Sequence, residues 1–456
     1  MQQDLTQGSI TGKLVGMAGF IGIGLVFQTL YFIIDLYFVA GLGAAAIAGV
    51  GLAGNAFFLS LALAQMVGVG ALSLIARSIG ARDFGAAEGV YRQAMILSLG
   101  LGAMTLVVGY LLAEPALATI AADAETTAMG KAYLFGFLPA LALSFPTNAM
   151  GSALRAAGVA RPTMLLQSGT VVLNAVLAPV LIAGWGTGLP LGVFGAGLAS
   201  SIAAGMGFLG MLFVFGRSQT LIAHPLKLPK PDWSVCRRIV GIGLPTAGEF
   251  LLMFVITAVV YGVIRQFGSE AQAGYGVGGR VMQSIFLPAM AVSFAVAPVA
   301  GQNFGAGRAD RVRRTVRDAA VLSSGLMLVL TLVCQVWPHA MIAVFAHDPA
   351  VIDVGAMFLR IASLNFLATG LIFVASGTFQ ALGDTRPALW GSFSRLVTFA
   401  GPAIWLAAQP WARLEHIWYL SATSVALHCL VALWFLRDQL RLKLAGLTPR
   451  GVTTSA

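Results

Sequence analysis

The sequence predicts an all-α membrane protein of twelve transmembrane helices, arranged as two pseudo-symmetric six-helix bundles. Three observations carry this prediction. Apolar stretches of about 20 residues or more recur from end to end, the length a helix needs to cross a bilayer. Basic residues alternate between densely and sparsely charged loops. The second half of the chain repeats motifs of the first at one offset, 225 residues.

Composition sets the class. Of 456 residues, 58% are hydrophobic and 10% are charged, with a mean hydropathy of +0.88. Soluble domains carry about 25% charged residues, so a soluble enzyme or nucleic-acid binder is excluded. The net charge of +10 then reports topology before it reports a polyanionic partner. The start MQQDLTQGSITGKLVGMAGF lacks a basic region followed by a small-residue cleavage site, so no signal peptide is expected. Cys236, Cys334 and Cys429 have no paired spacing and read as reduced, buried small residues.

Taken in order, the spans fall near 14–40, 46–76, 91–113, 129–156, 163–184 and 190–216, then near 239–266, 272–300, 316–338, 351–381, 388–408 and 414–436. This count places 21 of the 27 Lys and Arg on the side of both termini. They include Arg77, Arg82 and Arg92, the pair Arg237 and Arg238, and the run from Arg308 to Arg317. Only Lys131, Arg265 and Arg413 fall on the opposite side. Basic loops stay cytoplasmic, so both termini are expected there, in a multi-pass protein of a bacterial inner (cytoplasmic) membrane. The polar, Pro-bearing stretch 217–238 reads as a cytoplasmic linker between an N-lobe (1–216) and a C-lobe (239–456).

The repeat supports the two-lobe division. LGAAAIAGVGLAGN (42–55) lies over FGSEAQAGYGVGGR (267–280), and Ile79-Gly80-Ala81 lies over Phe304-Gly305-Ala306. LRAAGVARP (154–162) lies over FQALGDTRP (379–387) at the same offset. Chance composition would scatter Gly and Ala matches rather than keep one offset through three loop motifs. An even number of spans per half makes the repeat parallel, about an axis along the membrane normal. Two such bundles suit an alternating-access transporter.

Asp35 stands out within this frame, because no basic residue lies between Lys13 and Arg77. A carboxylate at bilayer depth costs several kcal/mol unless hydrated, paired or protonated, and so marks a functional site by default. Capping of a helix end before Gly41-Leu42-Gly43 is the competing reading, though Ser or Asn would serve a cap as well.

These features together resemble the multidrug and toxic compound extrusion (MATE) transporters of the wider MOP flippase/exporter superfamily. The resemblance rests on the Asp35 span, the turns RSIGARD (77–83) and GQNFGAGR (301–308), and the Arg-Pro turns after spans four and ten. It covers essentially the whole chain. It implies a non-enzymatic secondary antiporter that exports small organic, often cationic, compounds in exchange for H⁺ or Na⁺. It also implies no cofactor, a lipid-embedded functional monomer, and no nucleic-acid partner. A lipid-linked oligosaccharide flippase of the same superfamily is the alternative. That function would call for extra spans and a basic central cavity.

The resemblance also assigns a cation- or proton-coupling set. Asp35 matches the first-span carboxylate, Tyr133 a fourth-span tyrosine, Asn174 a fifth-span asparagine and Ser200 a sixth-span hydroxyl. Where many members carry a second carboxylate, this chain has Ala178. The seventh-span glutamate of one branch falls at Met253, with Glu249 one turn earlier, and its tenth-span carboxylate falls near Leu371. Four side-chain oxygens and one charge make a poor Na⁺ site, whereas one buried carboxyl suffices for H⁺, so proton coupling is favoured.

Other residues are assigned by their position. Phe27, Tyr31, Tyr37, Tyr261 and Tyr275 are candidates for an aromatic, cation-tolerant cavity, with Arg280 a candidate for an anionic substrate group. Arg360 and Arg395 lie within spans in the same way. GYGVGG (274–279) follows no strand and reads as helix packing rather than a nucleotide loop. No metal-ligand set and no nucleophile–base constellation is visible.

Overall fold

The computed structural model describes residues 4–121, 123–186, 188–217 and 230–447. Most of the expected linker, 218–229, lies outside the described residues. Among the described residues the regular structure is entirely helical. The first half comprises α1 (Ile10–Ala40), α2 (Ala44–Gly80), α3 (Phe84–Ile120), α4 (Ala124–Ala156), α5 (Arg161–Ala183) and α6 (Gly192–Arg217). The second begins with α7 (Trp233–Ile264), α8 (Ser269–Gly305) and α9 (Ala309–Val336). The short α10 (Pro338–Ala343) precedes α11 (Pro349–Ser363), α12 (Phe366–Leu382), α13 (Arg386–Ala407) and α14 (Leu414–Leu444).

Ten of these helices are individually long and apolar enough to cross a membrane, and α11 with α12 makes an eleventh span bent by 57°. The twelfth element, α13, has 22 residues, but polar side chains including Arg395 lower its hydropathy. One expectation therefore changes. The stretch 351–381 is not one continuous helix but two, broken at Leu364 and Asn365.

The position of that break has a counterpart in the first half. In α4, Pro139 sits inside the helix and cannot donate to the carbonyl of Phe135. Tyr110 of α3 donates its hydroxyl to that carbonyl instead (3.2 Å). Adding 225 to each number gives Gln335 of α9, which donates its amide to the carbonyl of Arg360 (2.8 Å) and to Ser363 Oγ (2.9 Å). Backbone groups freed within a membrane helix persist only where a neighbour satisfies them. The first half keeps α4 continuous through Pro139, whereas the second half breaks at the matching Leu364, and in both a side chain from the preceding long helix donates to the corresponding carbonyl.

Backbone angles repeat too. Gly43 (φ 108°, ψ 173°) and Gly268 (φ 99°, ψ 172°) precede α2 and α8. Gly158 (φ 80°) and Gly383 (φ 69°) share the left-handed region at their turns. Gly307 (φ 73°) has Arg82 (φ 61°) as its counterpart, the one non-glycine with positive φ among the described residues.

Packing divides the described residues into two compact units, one of Asp4 and those between Ile23 and Gly243, the other of Leu5–Gly22 and those from Leu244 onward. The helices α1 and α7 each contribute to both. Within the second unit the amino-terminal segment is held by the turn between α8 and α9. The Leu5 amide donates to Gln302 Oε1 (3.1 Å), and Asn303 Nδ2 donates to the Leu5 carbonyl (3.2 Å). Arg308 donates to the Thr6 carbonyl (2.7 Å), and Thr11 Oγ1 to Asp318 Oδ2 (2.9 Å). Leu5, Ile10 and Leu14 are buried below this polar layer. Within the first unit, Gly70 and Gly243 let α2 and the start of α7 meet backbone to backbone. A Cβ at Gly70 would lie 2.1 Å from the Ile239 carbonyl oxygen.

Candidate functional site

The first unit gathers Asp35 with residues from three other helices. Tyr31 and Asp35 lie one turn apart on α1, so both face the same way. Tyr133 comes from α4, Asn174 from α5 and Ser200 from α6. Small residues make this convergence possible. A Cβ at Gly197 would lie 2.3 Å from the Tyr133 carbonyl oxygen, so α6 meets α4 by direct backbone approach at the level of the site.

Tyr133 Oη donates to Asp35 Oδ2 (3.0 Å), and Asn174 Nδ2 donates to Ser200 Oγ (3.2 Å). The Tyr31 and Ser200 hydroxyls are hydrogen bonded to each other, and both tyrosines lie within electrostatic range of the Asp35 carboxylate. The set is dry: Asp35 is 6% exposed and Asn174 is fully buried. Two acceptors remain unmatched, Asp35 Oδ1 and Asn174 Oδ1, each buried without a hydrogen-bond donor. A buried orphan of this kind costs about 1–3 kcal/mol until a donor or cation reaches it. No described Lys or Arg pairs with Asp35. The arrangement is one anionic charge and a ring of oxygens lacking positive partners.

The candidates named from sequence separate as follows. Asp35, Tyr133, Asn174 and Ser200 come together, and Tyr31, assigned above to a cavity wall, joins them. Its signal was the four-residue spacing to Asp35. Ala178, fully buried, packs in the same apolar cluster as Tyr133, Leu134 and Phe137. Phe27 is half-buried on α1, whereas Tyr37 is 75% exposed and meets Phe38 edge-on. Glu249 does not join the Asp35 set. It is half-buried in the second unit, and no described Lys or Arg forms an ion pair with it. Tyr261 and Tyr275 also belong to the second unit, ring centroids 5.0 Å apart, and Arg280 is exposed on α8. Sequence reasoning missed Trp418, whose indole stacks on Tyr275 with centroids 5.5 Å apart.

Known proteins match this chain along nearly all of its length. The MatE family profile matches twice, at residues 21–180 and 245–404, once in each half of the repeat. The multidrug export protein MepA of Staphylococcus aureus (strain MRSA252) is 26% identical over 425 residues, 92% of each chain. The probable multidrug resistance protein YpnP of Bacillus subtilis (strain 168) is 26% identical over 420 residues, 91% of this chain and 90% of its own. Among solved structures, a MATE transporter in the straight conformation superposes with a TM-score of 0.89 at 24% identity, covering 96% of this chain and 98% of that one. An outward-facing MATE family transporter of the MOP superfamily superposes equally well, with the same coverage. The fold is therefore the MATE fold, and the two profile matches make up more than two thirds of the chain. This protein belongs to the MatE family, whose members are multi-pass membrane transporters and not enzymes.

Proposed function

We propose that this protein is a multidrug exporter that exchanges small organic, often cationic, compounds for H⁺, with Asp35 as the proton-carrying group. The observation that carries the reading is the buried Asp35 carboxylate, with Oδ1 lacking a donor beside the similarly orphaned Asn174 Oδ1. A proton on Asp35 Oδ1 cancels the charge and turns that orphaned acceptor into a donor. Loss of that proton restores a carboxylate able to hold a cationic substrate. A site whose charge changes in this way biases its helices between two packings, which is what alternating access requires. The family and the export names of its relatives support efflux, and the absence of a second carboxylate at Ala178 favours H⁺ over Na⁺. By the basic-loop asymmetry, the protein works in a bacterial inner (cytoplasmic) membrane with both termini cytoplasmic, as a monomer.

The test is dye transport in proteoliposomes under an imposed pH gradient or an imposed Na⁺ gradient. Accumulation that follows the pH gradient and persists without Na⁺ is the expected result. Asp35→Asn should insert and elute normally but lose gradient-driven accumulation. Transport that tracks Na⁺ and ignores the pH gradient overturns proton coupling, and full transport by Asp35→Asn removes Asp35 from the mechanism.

A further inference from the structure

Ser201 of α6 makes two hydrogen bonds, both to the backbone of α4. The Ala140 amide donates to Ser201 Oγ (3.1 Å), and that hydroxyl donates to the Gly136 carbonyl (2.5 Å). Gly136 and Ala140 are a pair that a regular helix joins directly, amide to the carbonyl four residues back. A side chain inserted into that ladder is a known cause of helix bending, and Pro139 lies in the same turn. The buried hydroxyl is thus a splint across one turn of α4. The second half differs at the matching positions, Ile361 and Asn365. There the Asn365 amide donates to the Ala362 carbonyl (3.1 Å), and the helix breaks. With its splint, α4 runs on to Ala156.

Both ends of the splint lead to the Asp35 site. On α4, Gly136 follows Tyr133 by three residues, so the bridged turn adjoins the turn that carries the tyrosine. On α6, the residue beside Ser201 is Ser200, which accepts from Asn174 of α5 (3.2 Å). Neighbouring side chains point about 100° apart around a helix. With Ser201 held by α4 and Ser200 by α5, α6 is therefore fixed in rotation. The seam leaves little slack, since a Cβ at Gly136 would lie 2.6 Å from the Phe194 carbonyl oxygen. Without the hydroxyl, the Gly136 carbonyl and the Ala140 amide either stay unpaired in a buried seam or close on each other. Each outcome turns the segment that carries Tyr133.

We propose that Ser201 is a positioning residue of the coupling site, whose hydroxyl bridges Gly136 and Ala140 and so sets the placement of Tyr133 for its hydrogen bond to Asp35. Its own bonds go to backbone, so it acts through Tyr133 rather than on the proton. The titratable groups that face Asp35 are Tyr31 on α1 and Tyr133 on α4, while α5 and α6 bring the uncharged Asn174 and Ser200. No described Lys or Arg forms an ion pair with Asp35. A change in the Tyr133 bond is therefore read in the pH profile of the site. The inference rests on the proton-exchange reading and deepens it by naming what holds the tyrosine in place.

The test pairs rhodamine 6G transport in proteoliposomes, measured across a pH series at a fixed pH gradient, with amide hydrogen exchange of the purified full-length protein in detergent. Ser201→Ala should move the midpoint of the transport profile by about 0.5 unit or more, in the same direction as Tyr133→Phe. The double variant should move it no further than Tyr133→Phe alone, because both changes remove one interaction. Ser201→Thr keeps a hydroxyl and should keep the wild-type midpoint. Ser201→Cys, close in size but a weaker donor, should move it part of the way, and it serves if the alanine variant is unfolded or inactive. Gln335→Leu removes a carbonyl donor in the second unit, so it should lower stability without moving the midpoint. Exchange around 136–141 should quicken in Ser201→Ala, and unchanged exchange there would overturn the splint. An unmoved midpoint in Ser201→Ala, an additive double variant, or an equal movement in Gln335→Leu would overturn the positioning role. Wild-type transport that ignores pH would instead count against the proton reading, because hydrogen exchange requires no transport.

Discussion

Replacing Gly197 by Ala tests whether the Asp35 site depends on direct contact between α4 and α6. The added methyl would meet only backbone: the Tyr133 carbonyl oxygen at 2.3 Å, the Phe137 amide nitrogen at 2.7 Å and the Gly136 carbonyl carbon at 2.9 Å. Ordinary contact begins near 3.4 Å, so the helices must separate by about 1 Å. Backbone cannot swing aside as a side chain can, and overpacking of this kind costs about 1–3 kcal/mol. The site feels the same displacement. Tyr133 is the residue struck, and Ser200 follows Gly197 by three positions on α6. A shift of about 1 Å in α4 carries Tyr133 with it, and that displacement suffices to take its 3.0 Å bond to Asp35 on α1 out of good hydrogen-bond geometry. Gly205, eight residues further along α6, is the internal control, because a Cβ there meets only Leu143 Cδ1 at 3.9 Å. Gly205→Ala should raise stability by about 0.5–1 kcal/mol through the helix preference for alanine. Thermal unfolding in detergent and dye efflux in proteoliposomes read the two effects. Gly197→Ala should lower both stability and efflux, while Gly205→Ala lowers neither. Equal stability and equal efflux in the two variants would refute the claim that backbone contact at Gly197 positions the site.

Arg82→Gly should raise stability by about 0.4–1 kcal/mol, because Arg82 holds a left-handed backbone (φ 61°) that its repeat partner Gly307 adopts without strain; thermal unfolding would show it. Gln335→Leu should remove one of the two donors to the Arg360 carbonyl, the other being Ser363 Oγ, and lower stability by about 0.5–1.5 kcal/mol, with hydrogen exchange accelerated around 360–366 and unchanged around Pro139. Ala178→Asp should bring Na⁺ dependence to a transporter otherwise driven by the pH gradient, because a second charge then stands in the cluster that contains Tyr133; efflux unaffected by Na⁺ in this variant would argue against Asn174 and Ala178 facing the coupling site.

The sequence by itself determined the class, the number of spans and the internal repeat. These follow from local quantities: how long each apolar run is, and which residues must take positive φ in the turns. Gly43 with Gly268 and Gly158 with Gly383 are visible at one offset because only glycine adopts such turns without strain. The candidate set around Asp35 came from matching individual positions to a family pattern, and residue spacing on one helix could add only Tyr31. Tertiary structure alone decided the rest. The break at Leu364 depends in part on another helix, because Gln335 of α9 donates both to the freed Arg360 carbonyl and to the Ser363 hydroxyl that shares it. Charge balance is equally non-local. Arg280, Arg360 and Arg395 look alike in the sequence, yet Arg280 and Arg360 are exposed while Arg395 is half-buried with its Nε enclosed and without an acceptor. Whether a charge is solvated, paired or left alone depends on what neighbouring helices bring to it, and a linear chain does not record that.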